Sequence, residues 1–200
     1  MSRYTGPKRR LSKREGVALF AKDAKALERK GAVPPGMRGT KVRPRFSEYS
    51  FQLREKQKTK RIFGLNERQF RNTFNEASKS KGATGNRLLE LLERRLDNVV
   101  YRLGFVKSRA EARQIVTHGH ITVDGKKVSI PSFKVKTNSV VAISPKFVDN
   151  TQVQKSLEEN TPVPGWLSRK ATVGKILRVP ERQEMESIVN EQLIVEYYSR

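Results

Sequence analysis

The chain has 200 residues, room for one large or two small domains, with a lean hydrophobic fraction of 36% and a charged fraction of 31%. Lys and Arg total 42 against 20 Asp and Glu, a net +22 that would repel itself in a compact monomer unless a polyanion neutralised it, and nucleic acid is the natural counterion. No apolar run approaches the roughly 20 residues of a membrane span, no apolar segment of signal-peptide type follows the basic N-terminus, and the lack of cysteine excludes disulfides and thiolate metal sites.

Residues 1–46 read as a basic arm. Arg3, Lys8, Arg9, Arg10, Lys13 and Arg14 all precede the first acid, Glu15. "VALFAKDAKALERKG" suits a short helix ended by Gly31, and the prolines and glycines of "AVPPGMRGTKVRPRF" keep the next stretch irregular. Charge runs are commonly solvated tails. The interspersed Tyr4, Leu11, Val17, Leu19 and Phe20 favour an arm that orders on RNA. Near its end Lys41, Arg43 and Arg45 alternate along an extended run, because Pro44 disfavours helical geometry before it. Such a row suits a single-stranded backbone, and it equally suits contact with structural RNA alone.

From Ser47 to Gly104 the pattern is helical. Ser47 caps "EYSFQLREKQKTKRIF", which Gly64 closes; Asn66 and Gln69 form a capping box for "ERQFRNTFNEASKSK", with Phe70, Phe74 and Ala77 as one apolar stripe. "GATG" breaks that helix, and Thr84 or Asn86 starts the next, whose apolar residues from Leu88 to Leu103 are wide enough to be core on two sides. Arg54, Lys56, Lys58, Lys60, Arg61, Arg68 and Arg71 are the cations of this region that we count as candidate RNA contacts.

"SRAEARQIVTHGHITVDGKK" follows. Ser108 and Glu111 form a second capping box, Ala112, Ile115 and Val116 face inward, and Gly119 stops the helix. "HITV" alternates as a strand, and Asp124-Gly125 is a two-residue hairpin signal returning the chain through "KKVSI". "SFKVKT" and "SVVAIS" are predicted as further strands. Arg94, Arg95, Arg102 and Lys107 lie just upstream, Arg109 and Arg113 are i, i+4 neighbours predicted on an exposed helix face, and Lys126 and Lys127 flank the turn. Acids are scarce here, so these cations read as a phosphate-tracking surface. The only two histidines, His118 and His120, lack the third ligand a metal site needs. They sit at the helix-to-strand junction, either donating to phosphate or sugar, or packing and capping there. No metal and no cofactor is expected. Catalysis would need a nucleophile with a base, or paired carboxylates in a pocket. Asp97, flanked by Arg94, Arg95 and Arg102, reads instead as a structural ion pair.

"RLDNVVYRLGFVKSRAEARQIVTHGHITVDGKKVSIPSFKVK" closely resembles the RNA-binding module named after the fourth protein of the small ribosomal subunit. "RYTGPKRRLSKREG", "QLREKQKTKRIFGLNERQFRNTF", "LLELLERRLDNVVYRLGF" and "NEQLIVEYYSR" resemble the bacterial or organellar form of that ribosomal protein family, nearly end to end and most weakly over 21–40 and 146–180. The resemblance implies an α+β fold: a helical domain plus a small inserted α/antiparallel-β RNA-binding module, with a basic N-terminal arm. Domains are accordingly expected at 1–46 (arm), 47–93 with 181–200 packing back (helical domain), and 94–180 (RNA-binding domain, core module about 94–145). It implies a structural, non-enzymatic constituent of the small subunit that binds the 5′ domain of its RNA and nucleates assembly. The family lies near the third and fifth small-subunit proteins, beside the path by which messenger RNA enters, influences decoding accuracy, and in some members represses its own messenger. The implied location is the ribosome, in the cytoplasm or an organellar matrix or stroma, with no membrane partner. Two departures stand out. The first cysteine pair of the zinc-bearing members would fall at Arg9 and Ser12, so this chain resembles the zinc-free type. The family's "PGQHG" is here "PGMRG", which places Arg38 where an imidazole is usual.

Overall fold

A computed structural model describes residues 4–30, 33–36, 47–80, 82–159 and 161–200. It divides into two compact units, Met1–Asn75 with Ile188–Arg200, and Glu76–Ser187.

In the first unit, helices α1 (Lys8–Glu15) and α2 (Ala24–Lys30), joined through a 3-10 turn at Ala21–Asp23, occupy much of the stretch expected to be an arm. Gly16, in the left-handed region at φ 72°, ends α1. Ser12 is buried and donates its hydroxyl to Asp23 Oδ2 at 2.5 Å, and Leu19 is buried beside this pair in sequence. Among the described residues, then, the stretch up to Lys30 is largely helical, with Ser12, Leu19 and Asp23 buried, and "VALFAKDAKALERKG" is helical only in its later part. Gly31 and residues 37–46 lie outside the described residues.

Helix α3 (Glu48–Ile62) starts as expected, with the Ser47 side chain accepting from the Ser50 amide, and Gly64 follows its end at φ 62°. Before α4 (Glu67–Ser78) the capping box is complete: the Gln69 amide donates to Asn66 Oδ1 at 2.8 Å and the Asn66 amide to Gln69 Oε1 at 3.5 Å. Phe70, Phe74 and Ala77 are buried, as their spacing predicted. The closing helix, Glu191–Tyr198, packs along α3. The α3 face beneath it is polar, and its burial is tolerated because most of its groups meet partners, Gln52 Oε1 being the exception. Gln52 Nε2 donates to Glu196 Oε2 at 3.1 Å, the Asn190 amide to Glu55 Oε1 at 2.8 Å, and Lys56 Nζ to Glu67 Oε1 at 2.9 Å while lying 4.4 Å from the Tyr197 ring. Tyr198 stacks on Phe74 at 4.5 Å and donates its hydroxyl to Glu67 at 2.9 Å.

The second unit opens with α5 (Thr84–Glu93) and α6 (Leu96–Arg102). Sequence periodicity ran these together as one helix. They are separated at Arg94–Arg95, where Arg95 turns to extended backbone. The reason is non-local. The "SFKVKT" segment docks on the break, with the Leu96 amide donating to Phe133 O at 2.8 Å and the Val135 amide to Arg94 O at 3.0 Å. That segment is therefore not the sheet strand its alternation predicted; it makes a single bridge, Arg95 to Lys134. Helix α5 does start at Thr84, one of the two starts its sequence offered, and its N-cap Ala83 makes no side-chain hydrogen bond.

Helix α7 (Arg109–Thr117) begins at Ser108, whose hydroxyl accepts from the Glu111 amide at 3.3 Å. A five-stranded antiparallel sheet follows, built from β1 (Ile121–Val123), β2 (Lys126–Lys127), β3 (Val140–Ile143), β4 (Leu167–Lys170) and β5 (Val173–Ile176) in the order β2-β1-β3-β5-β4, with α8 (Thr151–Glu158) between β3 and β4. Asp124 and Gly125 both take positive φ (50° and 79°), the type I′ geometry that "DG" announces, and Asp124 Oδ1 accepts from the Val140 amide at 2.7 Å. Leu96, Val99, Val100 and Leu103 of α6 and Ala112, Ile115 and Val116 of α7 join Ile121, Val141, Ile143, Trp166 and Ile176 in one core. Gly174 lies on the inner face of β5 opposite Val141, where any Cβ would run into the Leu103 side chain. The fold is α+β. No described helix is long and apolar enough to cross a membrane.

Glu67 supplies a pH test. Burial pushes its carboxyl up, but hydrogen bonds from Lys56, Lys60 and Tyr198 outweigh it and hold the pKa below the ordinary 4.5. A folded pKa below the unfolded one contributes stability above about pH 4.5 that is lost as pH falls through the folded value. Glu67→Gln should lower the urea midpoint near pH 7, and the difference from wild type should shrink steadily below pH 4.5.

Candidate nucleic-acid interface

The cations singled out from the sequence fall into two populations. The first is held by acids within its own unit. In the second unit Glu93, at the end of α5 and with its side chain wholly buried, receives Arg102 Nε at 3.0 Å and the same guanidinium's NH2 at 2.7 Å, and the Asn98 amide at 2.6 Å. Arg95, itself buried, forks onto Asp97 at 3.1 and 3.0 Å. Arg113 adds two bonds to Asp97 Oδ2 at 3.1 and 2.8 Å. Arg109 donates Nε to Asn98 Oδ1 at 2.8 Å and NH2 to Glu186 Oε2 at 2.5 Å, with its guanidinium 4.6 Å from the Tyr101 ring. Arg94 reaches Glu90 Oε1 at 2.9 Å and Val135 O at 3.1 Å, and Lys107 pairs with Glu159.

This overturns the expectation that Arg109 and Arg113 occupy an exposed helix face. Their side chains are only 17% and 18% accessible, because the face of α7 that carries them packs on α6 and its acids. The ion-pair reading of Asp97 holds, through Arg95 and Arg113 rather than Arg94 or Arg102. The neighbouring acids also pull the Arg102 guanidinium further toward its charged form: burial alone would lower its pKa, but Glu93 and Glu186 raise it well above the ordinary range.

The α3 cations of the first unit are engaged in the same way. Arg54 and Arg61 both bind Glu15, Lys58 binds Glu55 at 2.8 Å, and Lys56 and Lys60 share Glu67 at 2.9 and 3.0 Å. Glu15 pays for its position in the interior: burial pushes its pKa up despite the two arginines.

The second population faces outward. Arg9, Arg10 and Arg14 are exposed on α1, as is Lys8, 5.5 Å from the Phe20 ring, while Lys13 is half-buried. Arg68 and Arg71 are exposed on α4. In the second unit the end of α7 and the first hairpin form a basic corner. Lys126 and Lys127 are exposed on β2, and His118 is exposed at the C-cap of α7. Gly119, at φ 73°, takes the left-handed conformation that favours glycine, and the flexible end of the Lys127 side chain lies where a Cβ would be. His120 stacks nearly parallel on Phe147 at 4.0 Å and lies 6.0 Å from His118. Burial, followed by the charges of His118 and Lys127, lowers the His120 pKa and so disfavours its charged form. Of the two roles expected for His120, the structure shows packing, through the Phe147 stack. Lys170 and Lys175, exposed on β4 and β5, extend the basic surface and escaped the sequence reading along with their hairpin. Arg3, Arg38, Lys41, Arg43 and Arg45 lie outside the described residues. Among the described residues no three His, Cys, Asp or Glu side chains gather into a metal-binding group.

A family model described as "Ribosomal protein S4/S9 N-terminal domain" matches residues 3–93, and one described as "S4 domain" matches residues 94–141. The small ribosomal subunit protein uS4 of Dictyoglomus turgidum is 52% identical over 207 residues, that of Thermus thermophilus 49% over 209, and that of Neisseria meningitidis 49% over 207; each comparison covers 100% of both chains.

The paired arginines predict a stability phenotype. Arg102→Ala leaves a buried carboxylate with one amide partner and should cost about 3–5 kcal/mol in urea unfolding. Arg109→Ala with Arg113→Ala should also lower the unfolding midpoint clearly, where two exposed residues would move stability by less than about 0.5 kcal/mol.

Proposed function

The chain belongs to the family of small ribosomal subunit protein uS4, and from that membership we propose that it binds the 5′ domain of small-subunit ribosomal RNA and nucleates assembly there. It is a structural component of the small ribosomal subunit and not an enzyme. The single observation that carries the finer reading is the identity of about half the residues with uS4 proteins over the full length of both chains. A ribosome-associated regulator that borrowed only the module of residues 94–141 would not account for the match over 3–93.

The outward cations support an electrostatic mechanism. Exposed Arg9, Arg10 and Arg14 on a helix, and Lys126, Lys127 and His118 at a rigid corner, meet phosphates without sequence preference and set orientation on the RNA. The inward arginines hold the surface in shape. In this reading the protein sits near the third and fifth small-subunit proteins, in the ribosome of a cytoplasm, matrix or stroma. Lys41, Arg43 and Arg45 line the path of incoming messenger RNA, the protein tunes decoding accuracy, and it can repress its own messenger.

Three measurements test this. Binding to a transcript of small-subunit RNA should weaken with salt at a log–log slope near −6 to −7, for about eight neutralised phosphates; a slope near −1 would remove the charge surplus as the source of affinity. Lys126→Ala with Lys127→Ala should weaken binding while leaving the unfolding midpoint within about 0.5 kcal/mol of wild type. Subunits carrying alanine at 41, 43 and 45 should assemble but process structured messengers more slowly or with altered accuracy. If assembly fails first, the row contacts ribosomal RNA instead.

A further inference from the structure

Glu186 differs from the other acids of the α5–α7 cluster. Glu93 and Asp97 are fixed on helices and are fully or nearly fully buried. Glu186 lies in irregular backbone two residues past the 3-10 turn Arg182–Glu184, and its side chain keeps 17% of its accessibility. One oxygen, Oε2, bridges two guanidiniums: Arg109 NH2 at 2.5 Å and Arg102 NH2 at 3.4 Å. Both arginines are anchored from behind, Arg102 by its fork onto Glu93 and Arg109 by Asn98 and the Tyr101 ring. Their outward N–H groups therefore converge on a single anionic oxygen without help from Glu186.

A phosphate oxygen bridged by two guanidiniums has the same chemistry, and Arg recognises carboxylate and phosphate by the same donor geometry. The carboxylate is also the member of the cluster that can leave at least structural cost, since its departure breaks no helix and leaves Glu93 and Asp97 paired. We propose that Arg102 and Arg109 form an RNA phosphate site that Glu186 occupies as an internal phosphate mimic until RNA displaces it. Glu186 thereby restrains affinity: RNA must compete with a tethered anion before it gains these two contacts. The inference rests on the proposed RNA-binding function and adds to it a site built of inward arginines together with its built-in competitor.

The test compares wild type with Glu186→Gln, and with Glu158→Gln, which removes the same charge from the exposed surface of α8. Each full-length protein is titrated with a transcript of small-subunit ribosomal RNA at several salt concentrations, and each is unfolded in urea. Glu186→Gln should bind several-fold more tightly at each salt concentration, because RNA no longer has to displace a tethered carboxylate, although its urea midpoint falls slightly. Glu158→Gln should match wild type in affinity. If Glu186 only fastens its segment, Glu186→Gln will lose stability with unchanged or weaker binding, which overturns the proposal. Equal tightening by Glu158→Gln would reduce it to bulk charge. Wild type that fails to bind the transcript at all would overturn the underlying function too, whereas normal wild-type binding with an unresponsive Glu186→Gln removes only this site.

Discussion

Glu93 sets a carboxylate with no access to solvent at the end of α5, and three helices are organised around satisfying it. Desolvating that charge costs several kcal/mol unless a guanidinium and further hydrogen bonds surround it. Arg102 from α6 supplies the fork and Asn98 the remaining amide. Asn98 in turn accepts from Arg109 of α7, so satisfaction of one acid passes to the next helix. Asp97, one residue away on α6, draws in Arg95 and Arg113 and fixes α7 a second time. The sheet is then laid against the apolar side of α6 and α7. Polar pairing on one side and apolar burial on the other give these two short helices a single packing arrangement that neither would have alone.

The same pairing sorts a very basic composition into two uses. Arginines dominate the inward set, where planar forks match carboxylates at two points, and flexible lysines dominate the corner at β2, where a mobile point charge can follow an irregular phosphate backbone. Net charge read from composition does not distinguish these uses. With 20 acids against 42 cations, a substantial share of the positive side chains is still left facing outward once the internal acids are matched.

Features announced by short-range signals were legible in the sequence. Ser47, the Asn66–Gln69 pair, Ser108 and Asp124-Gly125 each act within four residues, and each took the geometry its chemistry requires. What escaped depends on distant partners. The break between α5 and α6 answers to Phe133 and Val135, some forty residues on in the chain. Arg109 meets an acid 77 residues away, so helical spacing placed it on a surface it does not occupy. The β4–β5 hairpin was missed because its turn carries Ala171 at φ 48°, a conformation usually betrayed by glycine or asparagine. The membership in a ribosomal protein family was readable almost end to end, but the division of its cations into structural and outward-facing ones required coordinates.

The packing of Glu191–Tyr198 along α3 has a consequence for the order of events during synthesis. Unit two lies wholly between the two parts of unit one, so during synthesis it is the first of the two to have all of its own strands and helices. Helix α3 emerges earlier still, but Gln52 and Glu55 wait for Glu196 and the Asn190 amide, and the aromatic cover over Phe74 arrives only with Tyr198. Domains commonly fold from the N-terminus as they appear; here the N-terminal unit matures last. A nascent chain would thus carry a finished RNA-binding module while the polar face of α3 that receives Glu191–Tyr198 is still uncovered.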